Sequence, residues 1–224
     1  MFDFLHKQPM RINTTEIIDT IENSVYTELK PFGFRKYGRT LHRFVDGDIS
    51  QVINFQCGQA YREETHLMWV NTGIRVPECM LREFRGDEVQ KKYYHEYDCN
   101  IRSHLGIVKN GKESCYDLRK DTRKIIEDIL RQIHGYVLPA YAVLNSREAI
   151  LRERKNYKHF DIINGHLILL EEAMIYGRMG DLETATACFK RYYIQCLKQK
   201  SPKPHIEYLE ELAAKFEFPL ENWR

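Results

Sequence analysis

Residues 29–56, LKPFGFRKYGRTLHRFVDGDISQVINFQ, set the architecture of this chain, because one short span encodes a helix end, a turn and a β-hairpin. Lys30-Pro31 closes a helix: the proline ring clashes with the carbonyl four residues back and biases the residue before it toward extended geometry. Gly33 then lets the chain turn. After a basic, glycine-marked connection (Arg35, Lys36, Gly38, Arg39), residues 40–45 read as a strand. Asp46-Gly47 is a two-residue hairpin signal, and residues 48–57 are the returning strand. On that strand Ile49, Ile53, Phe55 and Cys57 share one face, while Asn54 and Gln56 lie on the other, since successive strand side chains alternate.

Upstream, Asn13 followed by Glu16 resembles a capping box, and Ile17, Ile21, Val25 and Leu29 recur at helical spacing behind it. Downstream, residues 66–76 read as a third strand. Met68, Val70, Thr72, Ile74 and Val76 form its apolar row, Leu67, Trp69, Asn71 and Arg75 face the other way, and Pro77 stops it. Residues 78–96 are charged and aromatic without periodicity, which predicts a loop. Residues 98–108 alternate, with Cys99, Ile101, Ser103, Leu105 and Ile107 against Asn100, Arg102 and His104. Asn110-Gly111 predicts a hairpin turn into a fifth strand over residues 113–118.

From Asp121 the period becomes helical. Ile125, Ile126, Ile129, Leu130 and Ile133 form the stripe, Gly135 and Pro139 mark its end, and Ser146 caps a further helix to residue 155. Residues 160–176 and 181–198 read as an antiparallel helical pair, and residues 205–216 as a last helix. The fold class is therefore α+β: an antiparallel sheet of about five strands with helices packed on one face, followed by an α-helical C-terminal extension. The expected division is residues 1–155 for the α+β domain and 156–224 for the helical extension.

Five motifs stand in order along the chain: LKPFGFRKYGRTLHRF, VINFQ, a strand containing NTGI, then CNIRSHLG, and a helix running into VLPAYAVLNSREAIL. Together they resemble the bacterial family catalogued as domain of unknown function 4304, over roughly residues 12–154. That family has no established reaction, cofactor or catalytic residue, so the resemblance implies a shared domain and assigns no residue a role. The chain departs from the family in a single Tyr116 where members often carry a tryptophan pair, and in its longer tail.

The chain has 224 residues and a formal charge of +2, from 34 Lys and Arg against 32 Asp and Glu. That balance provides no long-range field for nucleic acid or anionic membrane, and no apolar run reaches the roughly 20 residues of a membrane span. A cytoplasmic protein without a signal peptide is expected. The six cysteines are widely spaced and lack C-x-x-C pairs, which predicts reduced thiols rather than a disulfide frame.

Most apparent chemistry dissolves on inspection. Gly106-Ile-Val-Lys-Asn-Gly111-Lys112 has phosphate-loop spacing, but Glu113 stands where a magnesium-binding Ser or Thr belongs, and the Asn-Gly turn predicts a hairpin with no helix beginning there. His95, Cys99 and His104 do not converge if Cys99 belongs to the apolar row. Cys188 and Cys196 read as helix packing, and the pairs Glu63-Glu64, Glu171-Glu172 and Glu210-Glu211 as solvated faces. No metal and no cofactor is expected.

One constellation remains. The sheet face turned away from the helices carries Asn54, Gln56, Trp69, Asn71, Arg75, Asn100, Arg102 and His104, rich in planar hydrogen-bonding groups with one large aromatic. The expected function is a non-enzymatic protein-interaction domain of the immunity or accessory type, with an unknown protein partner. The alternative is a small-ligand binder or hydrolytic enzyme using Arg75, Arg102, Asn71 and His104, with His104 as general base. RNA binding through Arg35, Lys36, Arg39, Arg43 and Trp69 is the weaker third reading, given the balanced charge.

Overall fold

The computed structural model describes residues 13–58, 66–80, 91–153 and 169–220. Helix α1 (Thr14–Leu29) begins at Asn13, whose side chain accepts the Glu16 N–H, and buries Ile18, Ile21, Val25 and Leu29. Ile18 takes the place that the spacing gave to Ile17, which is only partly buried. Pro31 enters a single 3-10 turn (Lys30–Phe32), and Gly33 closes it at φ 85°, the left-handed region that glycine enters without penalty.

The sheet then builds in chain order. It comprises β1 (Arg35–Tyr37), β2 (Thr40–Val45), β3 (Ile49–Cys57), β4 (Leu67–Arg75), β5 (Ile101–His104) and β6 (Cys115–Asp117). All described pairs are antiparallel, in the order β1-β2-β3-β4-β5, with β6 also on β4. The basic connection after Gly33 is therefore itself a strand, paired Arg35↔His42 to Tyr37↔Thr40 across a Gly38-Arg39 turn. Lys36 supplies the reason: its ammonium reaches Glu22 (3.2 Å) and Asn23 (2.7 Å) on α1 and pins this short segment beside β2.

The Asn110-Gly111 hairpin does not form. β5 and β6 lie end to end on one edge of β4, opposite residues 71–74 and 67–69, with the Leu105 N–H on Val70 O (2.9 Å) between them. Residues 106–114 are an excursion from this interrupted strand, closed by the Ser114 N–H on Leu105 O (2.8 Å). Inside it lies a one-turn helix, α2 (Ile107–Asn110), where none was expected, and Gly111 is its left-handed cap at φ 74°. A left-handed glycine serves a helix end as well as a tight hairpin, so the dipeptide alone does not distinguish them. One turn of helix sums too few peptide dipoles to hold a phosphate.

The expected stop at Gly135 and Pro139 is also overturned. Helix α3 (Thr122–Gln132) runs through a π-helical turn (Ile133–Val137) directly into α4 (Leu138–Val143). The wider turn, in which the Leu138 N–H bonds Ile133 O, relieves the clash that Pro139 would impose on a regular helix and places it in the first turn of α4. After α5 (Arg147–Glu153), whose first turn is capped by Ser146 Oγ on the Ala149 N–H (3.2 Å), come α6 (Leu169–Arg178), α7 (Leu182–Lys198) and α8 (Lys203–Lys215). The expected helical residues 154–155 and 160–168 lie outside the described residues.

α1, α3 and α4 cover one sheet face, meeting Leu41, Ile49, Ile53, Phe55, Met68, Val70 and Ile74 in one apolar cluster. A second cluster joins α6, α7 and α8 around Leu170, Phe189, Tyr193 and Leu209. α6 spans both, because Ile175 belongs to the first and Leu170 and Met174 to the second. Each such side chain contributes about 1.5–3 kcal/mol by leaving water. No helix among the described residues is long and apolar enough to cross a membrane.

Candidate recognition face

Residues opposite one another in a ladder share a face, so the register sorts the sheet. The pairs Asn54↔Asn71, Gln56↔Trp69, Ser50↔Arg75, Asn71↔His104 and Gly73↔Arg102 put seven of the eight candidate residues on the face away from α1 and α3. The eighth, Asn100, precedes β5, and its Oδ1 accepts the Val76 N–H (2.8 Å), a structural bond at the end of β4.

The face is not open throughout. Residues 91–100 cross it, and their aromatic side chains interleave with those of β1 and β2. Tyr93 stacks on Tyr37 (4.7 Å, 8°), Tyr94 meets Phe44 edge-on, and His95 Nδ1 lies 3.2 Å from Thr40 Oγ1. Cys99 packs on Gly73, where a Cβ would come within 2.7 Å of its Sγ, so it lies on the polar side rather than in the expected apolar row. The Arg75 guanidinium sits 3.9 Å over the Tyr94 ring and is 1% exposed, so it faces this cover rather than solvent. The cover has no signature in the sequence pattern because it follows neither a two- nor a 3.6-residue period. The Tyr93-Tyr94-His95 run, beside the Tyr37, His42 and Phe44 row, is the signal that could have revealed it.

At the other end the polar groups form a row across three strands, with Gln56 exposed, His104 partly exposed and Asn71 between them buried. Asn71 Nδ2 donates to Gln56 Oε1 (2.8 Å), and Asn71 Oδ1 lies 2.6 Å from His104 Nδ1. With its amide oriented by Gln56, Asn71 presents an acceptor to His104. The imidazole is thereby held with Nδ1 against the Asn71 amide and Nε2 turned away from it. Glu113 Oε1 stands 3.8 Å from the same Nδ1. Trp69, half-buried, lies beside Gln56, and Arg102 is anchored by Glu96 (3.3 Å). Asn54 is spent on Thr40 Oγ1 (3.0 Å) and Arg39 O (3.3 Å).

The cations considered for RNA do not form one surface with Trp69. Arg39 and Lys36 meet Glu22, while Arg43 bonds Gln51 and Phe32 O and lies over the Phe34 ring. Burial pushes the Glu22 carboxyl up, and Lys36 and Arg39 act against that shift. Burial likewise raises the Cys57, Cys79 and Cys99 thiols, which disfavours the thiolate needed for nucleophilic chemistry. Among the described residues no group of three or more His, Cys, Asp or Glu side chains is arranged to hold a metal ion.

No curated protein and no solved structure matches this chain. Residues 25–142, the span from the second half of α1 to the end of α4, match the family described as Domain of unknown function (DUF4304). That span holds the whole described sheet, the polar row and the Tyr93-Tyr94 cover, and the chain belongs to the DUF4304 family.

Proposed function

We propose that this protein is a non-enzymatic interaction domain, cytoplasmic and of the immunity or accessory type, whose polar sheet face holds another protein. The observation that carries this reading is the Gln56–Asn71–His104 row with Trp69 beside it. Planar groups fixed by mutual hydrogen bonds lose little freedom when a partner docks, and tryptophan, here partly exposed beside them, is among the residue types enriched as binding anchors. In this reading Trp69 and Arg102 supply the contact, and Gln56 and His104 supply directional bonds. The test is affinity capture from the native cell with wild-type protein and with Trp69→Ala and Arg102→Ala. A partner retained by wild type and lost by both variants supports the reading, and unchanged retention refutes it.

A second reading, a small-ligand binder or hydrolytic enzyme with His104 as general base, is favoured by the 2.6 Å Asn71 contact, which orients the imidazole as a catalytic histidine requires. Arg75 is withdrawn from such a site by its place against Tyr94. His104→Gln separates the two, since glutamine retains hydrogen bonding to a protein partner but abolishes base catalysis.

A further inference from the structure

β1 is the outermost strand of the sheet, and no described strand pairs with its second edge. In a hairpin closed by two residues, the flanking pair exchanges both ladder bonds and the next pair exchanges none. Tyr37↔Thr40 is the flanking pair, so the N–H and C=O of Lys36 point away from β2. An unpaired edge is a template for another strand unless something blunts it. Here no proline stands in residues 34–37 and the pairing with β2 is unbroken over residues 35–37; what blunts the edge is its three-residue length and the Lys36 charge, which Glu22 draws toward α1.

Two concavities flank this edge, one on each side of the sheet. The first, about 600 Å³, is lined by Tyr26 of α1 and Lys30 of the turn after it, with Phe34, Arg35, Lys36 and Tyr37. The second, about 530 Å³, is lined by Arg35, Tyr37 and Phe44 with Lys91 and Lys92. Both share Arg35 and Tyr37, so they meet around the edge. Lys30, Arg35 and Lys92 make no ion pair among the described residues, while Lys36 is held by Glu22.

We propose that the free edge of β1 is the docking site of an acidic, extended segment of a partner protein, which adds to the sheet as a further strand. The side chains of an added strand alternate between the two sides, and each side here offers a recess lined by cations and an aromatic ring. Main-chain bonds to Lys36 supply register, and carboxylates on both faces meet the cations. The second recess opens on the same sheet face as Trp69 but at the opposite end, beyond the Tyr93-Tyr94 cover, so the site does not depend on Trp69.

The probe is a fluorescein-labelled peptide of repeated Glu-Glu-Val-Val, which carries carboxylates on both faces when extended; Lys-Lys-Val-Val and oligo-dT of equal length are the comparisons. Fluorescence anisotropy on the full chain should show micromolar binding of the acidic peptide, weakened by salt, and none of the basic one. Lys36→Pro removes the outward N–H without breaking a bond to β2. It should weaken binding about tenfold relative to Lys36→Ala, the loss expected for one or two net hydrogen bonds. Arg35→Glu should abolish binding, and Trp69→Ala should leave it intact. Thermal melts confirm that each variant is folded. Equal binding by Lys36→Pro and Lys36→Ala overturns strand addition, as does failure of the acidic peptide to bind. Tighter binding of oligo-dT, insensitive to Lys36→Pro, assigns the groove to single-stranded nucleic acid and overturns the proposal as well.

Discussion

Arg147 and Glu78, 69 residues apart in sequence, form a two-bond pair, Nε to Oε1 at 2.7 Å and Nη2 to Oε2 at 2.9 Å. The same guanidinium reaches Asp48 (2.8 Å) and Asp46 (3.3 Å) on the hairpin turn between β2 and β3. The Asp-Gly-Asp turn is thus also the anchor of α5, and the Ser-Arg-Glu of the last family motif is its counterpart. Burial would lower the Arg147 pKa, but bonds from Glu78 and Asp48 outweigh it and hold the group more firmly protonated than usual. Arg147→Ala leaves the Glu78 carboxylate buried without its partner. Urea unfolding should show a loss of about 3 kcal/mol or more, with a smaller loss when Arg147→Met is combined with Glu78→Leu.

The Tyr141 hydroxyl enters the sheet between β3 and β4. It donates to Val52 O (2.6 Å) and accepts the Gly73 N–H (3.0 Å), while Gln51 Nε2 on the same face of β3 bonds Tyr141 O (2.7 Å). Tyr141→Phe keeps the ring and strips every hydroxyl bond, including the longer one to Gly73 O (3.1 Å). Denaturant unfolding is expected to give about 1–3 kcal/mol of destabilisation, and a change near zero would show that these backbone groups find other partners.

His42 is buried among Tyr37, Phe44 and Tyr93, and its pKa is lowered by burial first and by the Arg35 charge second. The unfolded chain takes up this proton near the ordinary value of 6.5, the folded protein only at lower pH. Below 6.5 the unfolded state therefore binds more protons and stability falls, while above it the contribution is constant. His42→Phe retains the ring contacts without the proton, so it should lose less stability than wild type between about pH 7 and pH 5, by up to about 1.4 kcal/mol for each unit of lowering. Parallel losses in the two proteins would dismiss His42 as the cause.

At Gly106, φ is 88°, and a Cβ would collide with Ser114 Oγ and Lys112 O and lie 2.7 Å from Ser114 N. Gly106→Ala should cost about 1–3 kcal/mol and should increase amide exchange at Ser114 before it affects β3, because the excursion is closed by the Ser114 N–H.

The division at residue 155 is testable by expressing residues 1–155 alone. Ile175 and the Cys79 thiol contact on Glu171 O (3.8 Å) are removed with the tail, exposing apolar surface beside Pro77–Cys79. If the first part folds alone, it should melt cooperatively at a lower temperature than the full chain and bind a hydrophobic dye at that surface. A non-cooperative melt would make the two parts one folding unit.

The sequence by itself determined the Ile21, Val25 and Leu29 positions of the α1 stripe, the β2–β3 hairpin, the Asn13, Asp121 and Asp181 helix starts and the face on which Asn71, Arg102 and His104 lie, because caps, turns and two-residue alternation act between near neighbours. Only the tertiary structure decided that β6 returns to β4 rather than to β5, that the helix passes through Pro139, and that residues 91–100 bury Arg75 under Tyr94. Those outcomes depend on which distant surface competes for a segment. A glycine tolerant of two turn types, or a tyrosine pair without periodicity, acquires one meaning only when its partners across the sheet are in place.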